Sequence, residues 1–293
     1  MIICTKFKGD LMFITSLSSK TTLEKLKSDF KLINCYFERF PDGEGYVRFD
    51  EKVKKIKEIL IVQSLYYPQD EHIMQLFFMI DALRDLNIKI DLLIPYMAYA
   101  RQDKRFKDWE SVSGISLAKM INQFEIERKY TVDIHNINVT KAMKGENLSA
   151  MPLIADYLTD LKLKEPVIVS PDKGSIERAK IVANHMDAEF DYLEKTRITG
   201  DTVEIKPKEI NTKNRDVAIV DDIISTGGTM AKACEVLKRE GTLKVLSGAT
   251  HLLMISNAEE KLNMAGIDRI FGTDSIPSKF SDISIANIIK ELY

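Results

Sequence analysis

Asp221 and Asp222, followed by Ser225, Thr226, Gly227, Gly228 and Thr229, place two carboxylates, three hydroxyls and two glycines within nine residues. Glycines let a backbone bend close to a phosphate, and hydroxyls add donors around it. Carboxylates repel phosphate, so two acids beside such a cradle must face something else. Vicinal sugar hydroxyls or a magnesium ion would suit them. The pocket therefore reads as a site for a sugar phosphate.

The flanking pattern supplies the elements that would hold these groups. Val217, Ala218, Ile219 and Val220 form an apolar, mostly β-branched run, as in a strand buried on both faces of a parallel sheet. Met230, Ala233, Cys234 and Leu237 then recur at helical spacing, and Gly241 supplies a stop. The turn thus lies at a helix start, where unpaired N–H groups favour an anion.

The same strand-then-helix alternation runs through the chain. Strands are expected at Met12–Thr15, Ile59–Val62, Ile88–Ile94, Lys129–His135, Pro166–Ser170, Asp191–Ile198, Lys244–Ala249 and Arg269–Gly272. Helices are expected through Leu23, Leu26 and Phe30; from Ile73 to Leu83; around Ile115–Ile121; from Ile176 to Met186; and from Ile283 to Leu292. Residues 141–152, polar with Gly145 and Pro152, read as the link between two halves, about 1–147 and 148–293, with the last helix returning to the first half.

Several polar clusters fall where these strands end. Phe37 to Phe49, around Pro41-Asp42-Gly43, has the pattern of a surface hairpin. Tyr96, Tyr99, Arg101, Gln102, Lys104 and Arg105 follow a strand's carboxyl end, the ligand edge of open α/β sheets; a charged surface loop would have the same composition. His135 stands two residues after Asp133, which on one strand points both side chains to one face and could orient a metal. His72, at a helix start, reads as a solvated or capping residue. Asp172 is a further acid at a strand end. Lys195 and Arg197, two apart, share a strand face before a polar flap.

Bulk properties narrow the class. The chain has 293 residues, 45% of them hydrophobic and 29% charged, with a formal net charge of −2. No general basic surface is implied, so nucleic acid is not an expected partner. Cys4, Cys35 and Cys234 are too scattered for a zinc site or disulfide framework. No apolar run reaches membrane-spanning length, and Met1 to Lys6 lacks the layout of a signal peptide; a cytoplasmic location without membrane attachment is expected.

The run from Val220 to Thr229 resembles the phosphoribosyl-diphosphate motif shared by type I phosphoribosyltransferases and ribose-phosphate pyrophosphokinases. Five further segments, in order, resemble the second group. They are Arg39 to Glu44, Pro95 to Lys104, Val132 to His135, Val169 to Gly174, and Lys195 with Arg197. Ile223-Ile224-Ser225 and Tyr192 to Lys195 are worded most like archaeal members. Three departures stand out: Met97-Ala98 is inserted in the second segment, Ser16 to Ser19 replace a glycine after the first strand, and Asn136 follows His135 where a small residue is common.

This resemblance implies two tandem phosphoribosyltransferase-like α/β domains, each a mainly parallel sheet flanked by helices. It implies transfer of the diphosphoryl group of MgATP to the anomeric hydroxyl of ribose 5-phosphate, giving 5-phosphoribosyl 1-diphosphate and AMP. Phe40, Asp42, Gly43, Glu44, Arg101 and Gln102 would bind ATP. His135 and Asp172 would hold Mg2+. Asp221, Asp222, Ser225, Thr226, Gly227, Gly228, Thr229 and Arg197 would bind ribose 5-phosphate, with Lys195 and Arg197 catalytic. Relatives share the ATP site between subunits, so a homo-oligomer is implied. The alternatives are a phosphoribosyltransferase, which leaves Pro95 to Arg105 unexplained, and a regulatory subunit without catalysis, which would be expected to have lost Lys195, Arg197, His135 or Asp172.

Overall fold

The computed structural model describes residues 12–197, 203–207 and 210–293, with the backbone alone over 194–197 and 203–207. Cys4 lies outside them. The chain divides into two compact units.

The first unit runs to Ser149 and includes Ser275–Pro277 and Ser284–Tyr293. Its elements are β1 (Phe13–Thr15), α1 (Lys20–Glu24), β2 (Lys31–Leu32), β3 (Cys35–Arg39), β4 (Gly45–Phe49), β5 (Glu58–Val62), α2 (Gln69–Asp81), β6 (Lys89–Ile94), α3 (Ser113–Ile121), β7 (Arg128–Val132), α4 (Ile137–Ala142) and β8 (Glu146–Leu148). Six of these strands form one sheet, ordered β2-β1-β5-β6-β7-β8, parallel throughout. Ile59, Leu60, Ile61 and Val62 are wholly buried, as β-branched runs covered on both faces must be. β3 and β4 form a separate antiparallel hairpin.

The second unit spans Ala150–Asp274 and Ser278–Ile283. It contains α5 (Met151–Asp160), β9 (Val167–Ser170), α6 (Ile176–Met186), β10 (Glu189–Arg197), β11 (Val203–Pro207), β12 (Asp216–Ile224), α7 (Gly228–Arg239), β13 (Lys244–Leu252), α8 (Ala258–Met264) and β14 (Arg269–Gly272). The sheet order is β11-β10-β9-β12-β13-β14; only the β10–β11 pair is antiparallel. The closing helix, α9 (Ala286–Leu292), belongs to the first unit, where Lys290 pairs with Asp29 at 2.8 Å and the Tyr293 hydroxyl donates to Asp91 at 2.7 Å.

The departures from expectation have local causes. The first helix stops at Glu24, although Leu26 and Phe30 are buried; Leu26 N–H bonds to Leu23, a tightened turn that leads into β2. The final helix begins at Ala286 rather than Ile283, because the Ile283 backbone still pairs with Gly272 and Asp274. The two units part between Ser149 and Ala150, within residues 141–152, but around that point the chain is ordered: it closes the first sheet and starts α5. Gly145 explains how: a Cβ there would lie 2.6 Å from the Lys129 carbonyl oxygen, so only glycine lets the chain enter β8 beside β7. Pro152 stands in the first turn of α5, where its missing N–H costs nothing. Met151, Ile154, Ala155 and Leu158 form the buried face of that helix. His72 is buried rather than solvated, its Nδ1 2.8 Å from the Tyr66 carbonyl oxygen. Gln63 accepts the N–H groups of Leu17 and Ser18, both at 3.1 Å, bracing the serine turn that replaces a glycine. The inserted pair is absorbed in the first core, Met97 at 3% exposure and Ala98 at none.

Candidate active site

β12 is central in its sheet, between β9 and β13. Its residues Val217 to Val220 are fully buried, which fixes the point where the chain emerges. The strand runs four residues further than the apolar pattern suggests, through both acids to Ile224. The turn follows directly. Gly227 takes the left-handed conformation, φ 73°, and is the cap of α7 with no side chain closing the helix. The first N–H groups of α7 thus have no partner within the helix. At Gly227 a Cβ would lie 3.1 Å from the Ala258 carbonyl oxygen in a conformation that side chains resist. At Gly228 the space is open, the nearest atom being Thr226 Oγ1 at 3.9 Å. Lys261 of α8 donates to the Thr226 carbonyl oxygen at 2.8 Å, and Ile255 N–H to that of Ser225 at 3.0 Å. Thr226 and Thr229 are exposed; Ser225 is half-buried. The turn is therefore held from behind and open in front.

Both acids are met by the segment that follows β9. Ser175 donates its hydroxyl to Asp221, whose same oxygen accepts the Asp222 N–H at 2.8 Å. Arg178, in the first turn of α6, lies 3.4 Å from the Asp222 carboxylate, which is 3% exposed. Burial, reinforced by the neighbouring Asp222 charge, pushes the Asp221 carboxyl up to about 7. Ser175 and Arg178 escaped the sequence reading. Helical periodicity marks Ile176 and Ala179 as core but gives no sign that the polar positions between them reach another strand.

Asp172 lies two residues past the end of the neighbouring strand β9, in extended geometry. Its carboxylate accepts the Gly174 N–H at 2.8 Å and caps the short turn before α6. The second unit thus gathers Asp172, Asp221, Asp222 and the 225–229 turn at the carboxyl edge of two adjacent parallel strands. Lys195 and Arg197 lie on β10 after it leaves β9 and pairs with β11, opposite Ile205 and Val203; their side chains fall outside the described residues.

The first unit carries the other expected groups. Phe40 is half exposed and its ring lies 5.7 Å from that of Tyr46. Asp42 accepts the Glu44 N–H at 3.1 Å, and Gly43, φ 94°, turns the hairpin as the sequence pattern requires. Arg101 is exposed and Gln102 half-buried, in the loop after β6. At His135 the expected geometry fails. β7 ends at Val132, Asp133 turns to φ 36° and is buried, accepting the Ser149 hydroxyl at 3.0 Å, while His135 is exposed. The two side chains do not share a strand face, because the strand stops before either residue.

Among the described residues no three His, Cys, Asp or Glu side chains form a metal cage. Magnesium takes one or two carboxylates plus substrate phosphates and keeps its waters; the Asp172 carboxylate has the donor chemistry such an ion needs. His135, the other expected ligand, belongs to the first unit, and its imidazole is a softer donor than a carboxylate for so hard a cation.

The N-terminal domain of ribose phosphate pyrophosphokinase matches residues 12–124, and the phosphoribosyl transferase domain matches residues 142–280. A ribose-phosphate pyrophosphokinase of Pyrococcus furiosus is 40% identical over 96% of this chain and 100% of its own. Ribose-phosphate pyrophosphokinase 2 of Archaeoglobus fulgidus is 43% identical over 87% of this chain and 89% of its own. The crystal structure of phosphoribosylpyrophosphate synthetase from Mycobacterium smegmatis superposes with a TM-score of 0.82, at 26% identity, covering 96% of both chains. The chain belongs to the ribose-phosphate pyrophosphokinase family.

Proposed function

We propose that this protein transfers the β,γ-diphosphoryl group of ATP to the anomeric hydroxyl of D-ribose 5-phosphate. The products are 5-phospho-α-D-ribose 1-diphosphate and AMP, for nucleotide biosynthesis. The observation that carries this reading is the edge formed by β9 and β12, where an acid pair adjoins an open glycine turn at a helix start. A phosphate suits the unpartnered N–H groups; two sugar hydroxyls suit the acids.

Each group then has a task. The 225–229 turn grips the 5-phosphate, with Gly228 giving it room. Asp221 and Asp222 accept hydrogen bonds from the ribose 2- and 3-hydroxyls and fix the ring. Because Asp221 holds its proton to about 7, binding the sugar favours proton release. Arg101 and Gln102 hold the nucleotide's phosphates, and Phe40, Asp42, Gly43 and Glu44 its adenine. Phosphoryl transfer is chiefly positioning and charge neutralisation. Lys195 and Arg197 supply donors to the equatorial oxygens of the transferring group, and Arg197 also meets the sugar phosphate. Asp172 and His135 would each offer a group to magnesium, which would supply neutralisation of phosphate charge when bound.

The exposed hairpin around Phe40 serves the ATP of a neighbouring subunit, so the working enzyme is a homo-oligomer. The described cysteines, Cys35 and Cys234, are free and buried, which fits the reducing cytoplasm. Phosphorus NMR of protein, MgATP and ribose 5-phosphate tests the reaction. AMP with a sugar diphosphate is the expected outcome. ADP with a sugar bisphosphate would mean an ordinary kinase, and no turnover a subunit without catalysis.

A further inference from the structure

We propose that Asn136 is a positioning residue that ties the nucleotide segment Arg101–Asp103 to the turn carrying His135. The inference rests on the roles given above to Arg101, Gln102 and His135.

The loop after β6 has a neck and a tip. At the neck, Gly114 N–H donates to the Gln102 carbonyl oxygen at 3.2 Å, closing residues 103–113 on themselves. Gly114 is forced there: a Cβ would lie 2.8 Å from the Tyr99 carbonyl oxygen. At the tip, the Glu110 carboxylate accepts the N–H groups of Phe106 and Lys107 at 2.9 and 3.1 Å. These bonds shape the loop internally, but they do not orient it on the sheet. Asp103, at the neck, accepts a hydrogen bond from the side-chain nitrogen of Asn136. The other end of that amide accepts the Asn138 N–H at 2.8 Å and caps α4.

One amide therefore spans two segments. A helix cap needs only an acceptor, and Asp or Ser would serve it equally. The donor half faces a carboxylate, which makes the bond a strong one. It joins the residue after Gln102 to the residue after His135. Loss of the tie would let the nucleotide segment drift relative to the His135 turn without touching the ribose edge on β9 and β12.

Asn136→Asp separates the two uses of the side chain. It keeps an acceptor for the cap, removes the donor and sets two carboxylates together. The expected result is a KM for MgATP raised about tenfold, equivalent to about 1.4 kcal/mol, with the KM for ribose 5-phosphate within about twofold of wild type. The double variant Asp103→Asn/Asn136→Asp restores a donor on the opposite side and should bring the KM for MgATP back to within about threefold. A readout independent of turnover exists, because the single tryptophan, Trp109, lies in this loop at 98% exposure. Its fluorescence anisotropy should fall in Asn136→Asp and recover in the double variant. An Asn136→Asp enzyme with normal KM and anisotropy overturns the proposal, as does a double variant no better than the single. A wild-type enzyme that makes no AMP overturns the proposed reaction instead, while the anisotropy series still decides whether the tie holds the loop.

Discussion

The carboxyl end of β12 and the loop after β6, proposed to hold the sugar phosphate and the nucleotide, are built by opposite means. The first is built inward. Its acids are held by Ser175 and Arg178, Asp222 fully buried and Asp221 half-buried, and its turn is braced by Lys261 and packed closely behind Gly227. The second is built outward, with Arg101 exposed and the loop closed largely by its own hydrogen bonds. A small sugar phosphate needs a rigid, preformed grip; a nucleotide can be met by surface segments that depend on ties to the rest of the fold. Damage at the first region should therefore cost more than damage at the second.

The largest effect is expected where chemistry itself is lost. Lys195→Ala should lower kcat about 10²–10³-fold, or 2.7–4 kcal/mol, with little change in ribose 5-phosphate affinity. Steady-state kinetics and a binding titration together check this.

Next come the paired glycines. Gly227→Ala should destabilise the fold by about 1–3 kcal/mol, read by thermal or denaturant unfolding, because both conformation and space resist it. Gly228→Ala should leave stability within about 0.5 kcal/mol yet weaken ribose 5-phosphate binding about tenfold or more, because the open space in front of it is what the phosphate uses. Equal effects at the two positions would break the contrast between a braced back and an open front.

The acid pair sets a pH dependence. The Asp221 carboxyl is raised to about 7, so the ionised form that accepts sugar hydroxyls fills as pH rises through neutrality. The KM for ribose 5-phosphate should fall about tenfold between pH 6 and pH 8, measured at saturating MgATP. For stability the sign is opposite. A carboxyl whose proton is held more tightly in the folded state loses stability as pH rises from the ordinary carboxylate range to about 7. Asp221→Asn should therefore raise Tm by a few degrees at pH 7.5 and by less at pH 5, while abolishing tight sugar binding.

The smallest effect is expected at the hairpin. Phe40→Ala should raise the KM for MgATP a few-fold and leave Tm nearly unchanged, because its half-exposed ring packs only partly, against Tyr46.

Legibility followed the same divide. The end of β12 could be read because buried β-branched residues, acids, hydroxyls and glycines stand consecutively, and a strand-to-helix junction puts consecutive residues in one place. The central strands of both sheets were legible for the same reason. What could not be read depends on distant partners or single backbone torsions. Arg178 reaches Asp222 from another element, and nothing in periodicity signals it. Asp133 and His135 alternate like strand neighbours, but a positive φ at Asp133 ends the pattern. Within residues 141–152, where the two units part, the hidden feature is an edge strand of three residues, held by Gly145, with no apolar alternation to show.

The central claim is that a pentose phosphate lies across the end of β12. A crystal structure with ribose 5-phosphate tests it directly. The account predicts the 5-phosphate against the N–H groups of residues 227–229 and the 2- and 3-hydroxyls within hydrogen-bond reach of Asp221 and Asp222. A sugar bound away from both, with the turn untouched, would contradict it.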